Sequence, residues 1–356
     1  MEKRWVYCVG LMSGTSLDGL DIAFCKFKEK KNAYLWEILS AETVPYPKEL
    51  QQSLHHAMSL GAFDLRSLDL ALGKWIGDQT NQFIEKQQLK VEFIASHGHT
   101  IYHQPSKGIT VQIGNANAIH EKTALPVVNN FRELDVLKGG QGAPLVPIGD
   151  KLLFGEYQAC LNLGGIANIS FDEEEGKRVA FDICECNLIL NHLSKQKGLP
   201  YDEGGHIASK GKVDAGLFQA LKSLPFYSKE APKSLGKEYV DEVLLPLLSK
   251  YSLSTEDSMA TFVEHICYQI SQVTQENKIQ NMLVSGGGSW NEFLLQRLKS
   301  MSGDKVKVVR ESKLTTDFKE ALVFAFLGLL RKEHKINVLK TVTGAASDSI
   351  AGDIVG

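Results

Sequence analysis

The chain of 356 residues has no uninterrupted apolar run approaching the ~18 residues that a membrane helix requires, so no span is predicted. Its first ten residues, Met-Glu-Lys-Arg-Trp-Val-Tyr-Cys-Val-Gly, hold no long apolar core, so a secretory leader is not expected. Cysteine is scarce: Cys8, Cys25, Cys160, Cys184, Cys186 and Cys267, with no paired CxxC spacing. That argues against a zinc framework, and a chain of this length has no need of disulfide staples. Reduced thiols and a cytoplasmic location are the expectation, in which the sequon Asn168-Ile169-Ser170 carries no meaning. An excess of either charge is also missing, with 39 basic residues against 42 acidic ones. A dedicated nucleic-acid binder would show a basic footprint, so that class is set aside. Proline numbers only 10, and the 43% hydrophobic and 23% charged fractions exclude wholesale disorder.

Glycine, by contrast, numbers 31. It clusters after predicted strands, at residues 10–19, 139–142, 164–165 and 286–288. Tight glycine turns at strand ends expose backbone N–H groups and admit close approach of a ligand, although hairpins and helix entries alone also call for glycine.

The pattern around these turns repeats. Strands are predicted at 5–9, 20–27 and 35–38, and again at 159–163, 166–171 and 179–183. Each set runs strand, glycine turn, strand, charged turn, strand. Such duplication half a chain apart predicts two related α/β domains. Between them the spacing turns helical at 64–85, at 259–273 and at 318–329, where Phe318, Ala321, Leu322, Ala325, Phe326 and Leu329 share one face. A buried strand at 282–284 feeds Gly286-Gly287-Gly288.

Familiar phosphate motifs fail. Gly211-Lys212 is followed by Val213 and Gly236-Lys237 by Glu238, so there is no P-loop, and no GxGxxG follows a strand. Two glycine hairpins and a separate glycine-rich strand-to-helix turn remain as a nucleotide site. That pattern resembles the actin, hexokinase and chaperone ATPase superfamily.

Within it the chain resembles the anhydro-N-acetylmuramic acid kinase family. The opening Gly-Leu-Met-Ser-Gly-Thr-Ser-Leu-Asp-Gly-Leu-Asp at 10–21 is similar to the family's signature. So are Ser-His-Gly-His-Thr-Ile-Tyr-His-Gln-Pro at 96–105, Phe131-Arg132 with Asp135, and Gly-Gly-Gln-Gly-Ala-Pro-Leu-Val-Pro at 139–147. Leu-Asn-Leu-Gly-Gly-Ile-Ala-Asn-Ile at 161–169, Pro-Lys-Ser-Leu-Gly-Lys-Glu at 232–238, the stretch 286–291, Lys319-Glu320-Ala321 and 342–345 complete the series in family order.

The resemblance implies a two-domain actin-like, ribonuclease H-like α/β fold with a central cleft. Domain boundaries are expected at 1–130 and 131–340, with 341–356 packing back on the first domain. It implies that ATP, water and 1,6-anhydro-N-acetylmuramic acid give N-acetylmuramic acid 6-phosphate and ADP, in cell-wall recycling. The partner is then a small sugar, with no nucleic acid or membrane, and a homodimer is the implied assembly.

Carried over residue by residue, the resemblance assigns Gly14, Thr15, Ser16, Leu17, Asp18, Gly19, Leu20 and Asp21 to the ATP phosphates. Gly164 and Gly165 hold their other side, while Gly286, Gly287, Gly288 and Asn291 receive adenosine. Asp18 and Asp21 are candidates to organise Mg²⁺ through water, with no direct ligand assigned, since Mg²⁺ favours few carboxylates and several waters. Asp182 falls where the family has its catalytic base; His97, Arg132 and Glu320 fall at sugar contacts. Arg132 suits the lactyl carboxylate because a guanidinium grips carboxylates bidentately, its alternative being an ion pair with Glu133 or Asp135. His97, His99 and His103 alternate as a metal triad would, but no second ligand cluster accompanies them.

One segment departs from the pattern. The family's Phe-Asp-Thr-Gly-Pro-Gly-Asn stands here as Phe-Asp-Ile-Cys-Glu-Cys-Asn at 181–187. Two glycines and a proline are gone, so the backbone is expected to differ, and Glu185 is placed to raise the pKa of Asp182 where the two approach. Asn130 replaces the usual Asp, and Leu235 the usual Thr. A kinase of the same fold with altered sugar specificity, or an ATP-binding regulator with a decayed site, are the alternatives this segment opens.

Overall fold

Residues 4–14, 17–31, 33–173, 176–303 and 305–356 are described by the structure, a computed structural model. They form two compact units, one of 1–153 with 318–356 and one of 154–317.

The first unit is built on β1 (Val6–Ser13), β2 (Leu20–Lys30), β3 (Ala33–Val44), β4 (Phe93–Ser96) and the hairpin β5 (His99–Gln104) and β6 (Ile109–Ile113), followed by β7 (Val127–Asn129). Period-two alternation decides the faces of β1. Val9 and Leu11 point into a core shared with Leu68, Leu72, Ile76 and Phe83 of the helix Ala62–Gln87. Cys8 and Gly10 point the other way, against the helix Lys313–Lys332, whose Ala325 carbonyl lies 3.9 Å from the Cys8 thiol. A Cβ on Gly10 would meet the Ala321 carbonyl oxygen at 1.9 Å, so this strand and helix touch only because the residue is glycine.

The second unit holds β8 (Ala159–Leu163), β9 (Ile166–Asp172), β10 (Arg178–Glu185), β11 (Asn281–Ser285) and β12 (Lys307–Arg310). Its core joins Leu161, Leu163 and Ile169 to helices Asn187–Lys195, Thr255–Glu276 and Glu292–Ser302. In the long helix, Met259, Phe262, Val263, Ile266 and Ile270 are fully buried, the stripe their spacing predicts.

The two sheets share one topology. The second unit reads β10-β9-β8-β11-β12, three antiparallel strands followed by two parallel ones. The first reads β3-β2-β1-β4-β7 in the same senses, with β13 (Asp353–Val355) added antiparallel to β7. This is the ribonuclease H-like sheet of the actin-like ATPase fold, present twice.

The compact units divide at 153/154 and 317/318, where boundaries after 130 and 340 were expected. Side-chain bonds explain the placing. Asp135, fully buried, accepts from the Gly142 amide and the Thr343 hydroxyl, both at 2.8 Å. Lys319 pairs with Asp150 at 2.7 Å, and the Trp36 indole donates to the Leu153 carbonyl at 2.8 Å. Residues 131–153 and 318–340 therefore belong with the first sheet. The later division falls inside Lys313–Lys332, at Phe318, whose φ of −111° and ψ of 19° leave helical values. No helix among the described residues is long and apolar enough to cross a membrane.

Candidate functional site

In the first unit the turn from β1 to β2 begins at Gly14. The Leu17 amide donates to the Gly14 carbonyl at 3.3 Å, and Leu17 takes a left-handed φ of 60°. Gln51 holds the Leu17 carbonyl at 2.9 Å. Thr15 and Ser16, assigned to phosphate, lie outside the described residues. Asp18 is exposed, Gly19 is buried, and the Leu20 side chain is buried in the core, which leaves Leu20 only its backbone for any ligand. Beneath the turn, Tyr46 donates to the Ser13 hydroxyl at 2.6 Å, and Ser13 pairs with His99 Nδ1 at 2.9 Å.

Asp21, half-buried, accepts from Thr43 at 2.5 Å. It is close enough to Glu320 to raise that carboxyl's pKa, adding to the larger effect of desolvation while Arg132 and Lys319 oppose both. Glu320 thus stands with Asp21 and Arg132 in one electrostatic neighbourhood. An exposed carboxylate at Asp18 and a second one at Asp21 are oxygen donors with access to water, a set that fits a largely hydrated Mg²⁺. Among the described residues no group of three or more His, Cys, Asp or Glu is arranged to hold a metal.

Arg132 and His97 are one device. His97 Nδ1 meets the Gly98 carbonyl at 2.8 Å and Nε2 meets Arg132 Nε at 2.9 Å. Since Arg132 has only donors, His97 accepts through Nε2 and carries its proton on Nδ1. Burial and the neighbouring guanidinium push its pKa well below the ordinary histidine value, which keeps the ring neutral. The ring also lies 4.6 Å from Phe324, one turn beyond Glu320 on the same helix. Burial lowers the pKa of Arg132 itself to about 10, with Glu320 opposing. The ion pairs weighed for Arg132 are not formed. Glu133 accepts from Asn130 and Asp135 from Gly142 and Thr343, while Arg132 Nη1 donates to the Gly142 carbonyl at 2.6 Å.

In the second unit the parallel pairing of β8 with β11 brings the two glycine turns together. Ser285 stands opposite Asn162, so residues 286–288 leave β11 beside 164–165 leaving β8. Gly286 has a φ of 82°, and a Cβ there would lie 2.4 Å from Asn162 Oδ1. No other residue type fits both demands. The first amides of the helix Asn187–Lys195 secure the hairpin: Cys186 and Leu188 donate to the Gly165 carbonyl at 2.9 and 3.0 Å, and Asn187 to Gly164 at 3.1 Å. Gly287 is exposed and Gly288 buried. Asn291 Oδ1 caps the helix Glu292–Ser302 by accepting from the Leu294 amide at 2.9 Å, so its side-chain oxygen already has a structural task.

Asp182 lies on β10 and is half-buried. Its amide donates to the Lys233 carbonyl at 3.0 Å, and its Oδ2 accepts from the Leu235 amide at 2.8 Å. Burial raises its pKa and the Leu235 N–H opposes the rise. Glu185 takes no part in that shift, because its carboxylate turns to Tyr227 instead. The departure in sequence is absorbed without positive φ at Ile183, Cys184, Glu185 or Cys186. A bulge does the work: Asp182 faces Asn168 and Cys184 faces Ala167, so Ile183 is the extra residue.

The stretch 232–238 is marked in the sequence only by its match to the family series, and in the structure its Leu235 amide reaches Asp182. Leu235 acts through its backbone amide, which any residue but proline supplies, so its identity carried no signal.

Twin ribonuclease H-like sheets, each with a glycine turn between its first two strands, are the framework of the actin-like kinases that use nucleotides. The family model for anhydro-N-acetylmuramic acid kinase matches residues 6–356, and the chain belongs to that family. Relatives of that name include proteins of Pseudomonas putida, 36% identical over 97% of this chain and 98% of theirs, and of Sulfurimonas denitrificans, 32% identical over 98% and 99%. Solved structures resembling it include component A of the Acidaminococcus fermentans (R)-2-hydroxyglutaryl-CoA dehydratase, at a TM-score of 0.47, 13% identity and coverage of 93% and 100%.

Proposed function

We propose that this protein is an ATP-dependent sugar kinase that opens 1,6-anhydro-N-acetylmuramic acid with water and phosphorylates its O6. The observation that carries this reading is the state of Asp182. One carboxylate oxygen is fixed by the Leu235 amide, and no described residue donates to the other, which is where a base would receive a proton. Burial makes that carboxylate more basic than an exposed one.

In the proposed reaction a water oxygen bonds to the anomeric carbon while Asp182 takes its proton. The bond from that carbon to O6 breaks, and its electron pair stays on O6. O6 then bonds to the γ-phosphorus of ATP as the bond to the ADP oxygen breaks, giving N-acetylmuramic acid 6-phosphate and ADP. An inverting glycosidase needs a second acid to protonate its leaving oxygen. Here phosphoryl capture of O6 takes that place, so one carboxylate suffices.

Positioning and charge neutralisation do the rest. We assign the lactyl carboxylate to Arg132, held by neutral His97, and a sugar contact to Glu320. The turn from Gly14 to Asp21 is assigned to the phosphates with Gly164 and Gly165, and 286–288 to adenosine. Asp18 and Asp21 would hold Mg²⁺ through water, where it supplies charge neutralisation at the phosphates. A cytoplasmic setting follows from the family reading, and a homodimer from the same reading and from the general frequency of two-fold assemblies.

The test is direct. Incubated with ATP, Mg²⁺ and the anhydro sugar, the protein is expected to release ADP and a 6-phosphosugar in equal amounts, and neither when the sugar is omitted. Asp182→Asn is expected to lower kcat by about 10²- to 10⁴-fold. Absence of both products from wild type would overturn the reading, and a variant within a few-fold of wild type would remove Asp182 as the base.

A further inference from the structure

β10 is the edge strand of its sheet and ends on a carboxylate turned inward. Glu185 is 1% exposed, and Tyr227 donates to its Oε2 at 2.5 Å. Its Oε1 has no hydrogen-bond partner among the described residues; His265 Nε2 stands 3.7 Å away. His265 is fully buried and, among the described residues, also unpartnered at both ring nitrogens, its ring edge-on to Tyr227 at 4.7 Å. The Tyr227 ring packs against the core and meets the His265 ring, but the polar atoms buried with them are costly. Among the described residues, the hydrogen bond that joins two side chains of this cluster is the one between Glu185 and Tyr227.

Tyr227 opens the segment that runs to Leu235, and that segment covers the flank of β10. At its far end Lys233 accepts from the Asp182 amide, and Leu235 donates to the Asp182 carboxylate. Lys233 also reaches back, its ammonium 3.5 Å from the Tyr227 carbonyl and 5.1 Å from the Phe226 ring. One nine-residue segment is thus fastened to β10 twice, by a side chain at Glu185 and by backbone at Asp182. The bulge at Ile183 sets these two residues opposite Asn168 and Ile166, two ladder positions apart rather than three.

We propose that Glu185 and Tyr227 are positioning residues for Asp182: their hydrogen bond pins the 227–235 segment to the edge of β10 and so keeps the Leu235 amide on the carboxylate. The proposal rests on the reading of Asp182 as the base. Neither residue is expected to touch substrate.

The groups facing this pair are the Cys184 and Cys186 thiols on its own strand end, Lys233 from the covering segment, Tyr239 from the short helix Lys237–Tyr239 that follows it, and His265 from the helix behind. Burial holds both thiols and Tyr239 protonated and His265 neutral, so Lys233 is the one charge among them near neutral pH.

The full-length protein with Tyr227→Phe, which removes one hydroxyl and keeps the ring, is assayed across pH beside Glu185→Gln. In Tyr227→Phe, kcat is expected to fall about tenfold or more with KM for the sugar nearly unchanged. The acid limb of its kcat/KM profile is expected to move up by about one pH unit, because the N–H that favours the Asp182 carboxylate is lost. Glu185→Gln keeps an acceptor for Tyr227 and is expected to retain the wild-type acid limb. A general loosening of the fold would lower activity without moving that limb. Hydrogen exchange at 227–235 provides a second readout and is expected to quicken in Tyr227→Phe. Unchanged exchange, or an unmoved acid limb in an active protein, overturns the proposal. Quickened exchange in a protein whose wild type has no turnover keeps the pinning and overturns the reading of function instead.

Discussion

A guanidinium offers five N–H donors, and at Arg132 two nitrogens are already engaged, Nε with His97 and Nη1 with Gly142. Those two bonds fix the plane, and Nη2 is the nitrogen left for the carboxylate proposed above. Lysine would present one point charge with no plane to fix. Arg132→Lys is therefore expected to raise the KM for the sugar by about tenfold or more while kcat changes little, as steady-state kinetics over a sugar series would show. A larger loss in kcat than in affinity would place Arg132 in the chemistry instead. Arg132 stands out in the sequence because few residue types suit a carboxylate ligand, and its contact with the sugar is part of the proposal. What His97 does to Arg132 does not stand out, since 35 positions separate them and no local pattern encodes the bond. The three alternating histidines each have a partner of their own: His97 the Gly98 carbonyl and Arg132, His99 Ser13, and His103 Thr110.

Between elements, the contact that positions Glu320 is the seating of Lys313–Lys332 on β1. It depends on Gly10, where an added methyl meets backbone rather than a mobile side chain. Gly10→Ala is expected to cost about 1–3 kcal/mol, as overpacked contacts do, read from the urea midpoint at unchanged slope. Loss of sugar binding should accompany it, because Glu320 lies beside Ala321. Elements of this kind were largely legible. Strand 159–163 and its neighbour fall where alternation and glycine predict, and the helix predicted over 64–85 spans Ala62–Gln87. The end of β10 was not. Loss of glycine at 181–187 predicted a changed backbone, but a bulge at Ile183 absorbs the change and lets the strand continue to Glu185. Bulges leave no period in a sequence; they are settled by the partner strand.

At the scale of the whole molecule, two buried groups oppose each other in the response to pH. Burial raises Glu185 to about 7 from 4.5, so its unfolded form sheds the proton first and stability declines as pH rises between those values. His265 is lowered to about 3 from 6.5, so stability declines as pH falls through that window. The first effect amounts to about 3 kcal/mol at most. Glu185→Gln abolishes it, so the variant's stability relative to wild type is expected to grow from pH 4.5 to 7 and level off above, as urea melts at several pH values would show. A constant difference across that range would mean that Glu185 is not held neutral. The duplication behind this architecture was readable in the repeated glycine hairpins. The unit boundaries were not, because Asp135 to Thr343 and Lys319 to Asp150 are bonds between distant stretches.

That interleaving bears on how the chain is made. The unit of 154–317 is one continuous stretch, while the other waits for residues on both sides of it. A ribosome completes β12 before it begins the stretch of helix that seats on Gly10, and among the described strands β13 comes after all the others. Domains fold as units, usually the N-terminal one first during synthesis. Here completeness runs the other way: the five strands of the second sheet are all made before the helix Lys313–Lys332 is available to cover the first sheet.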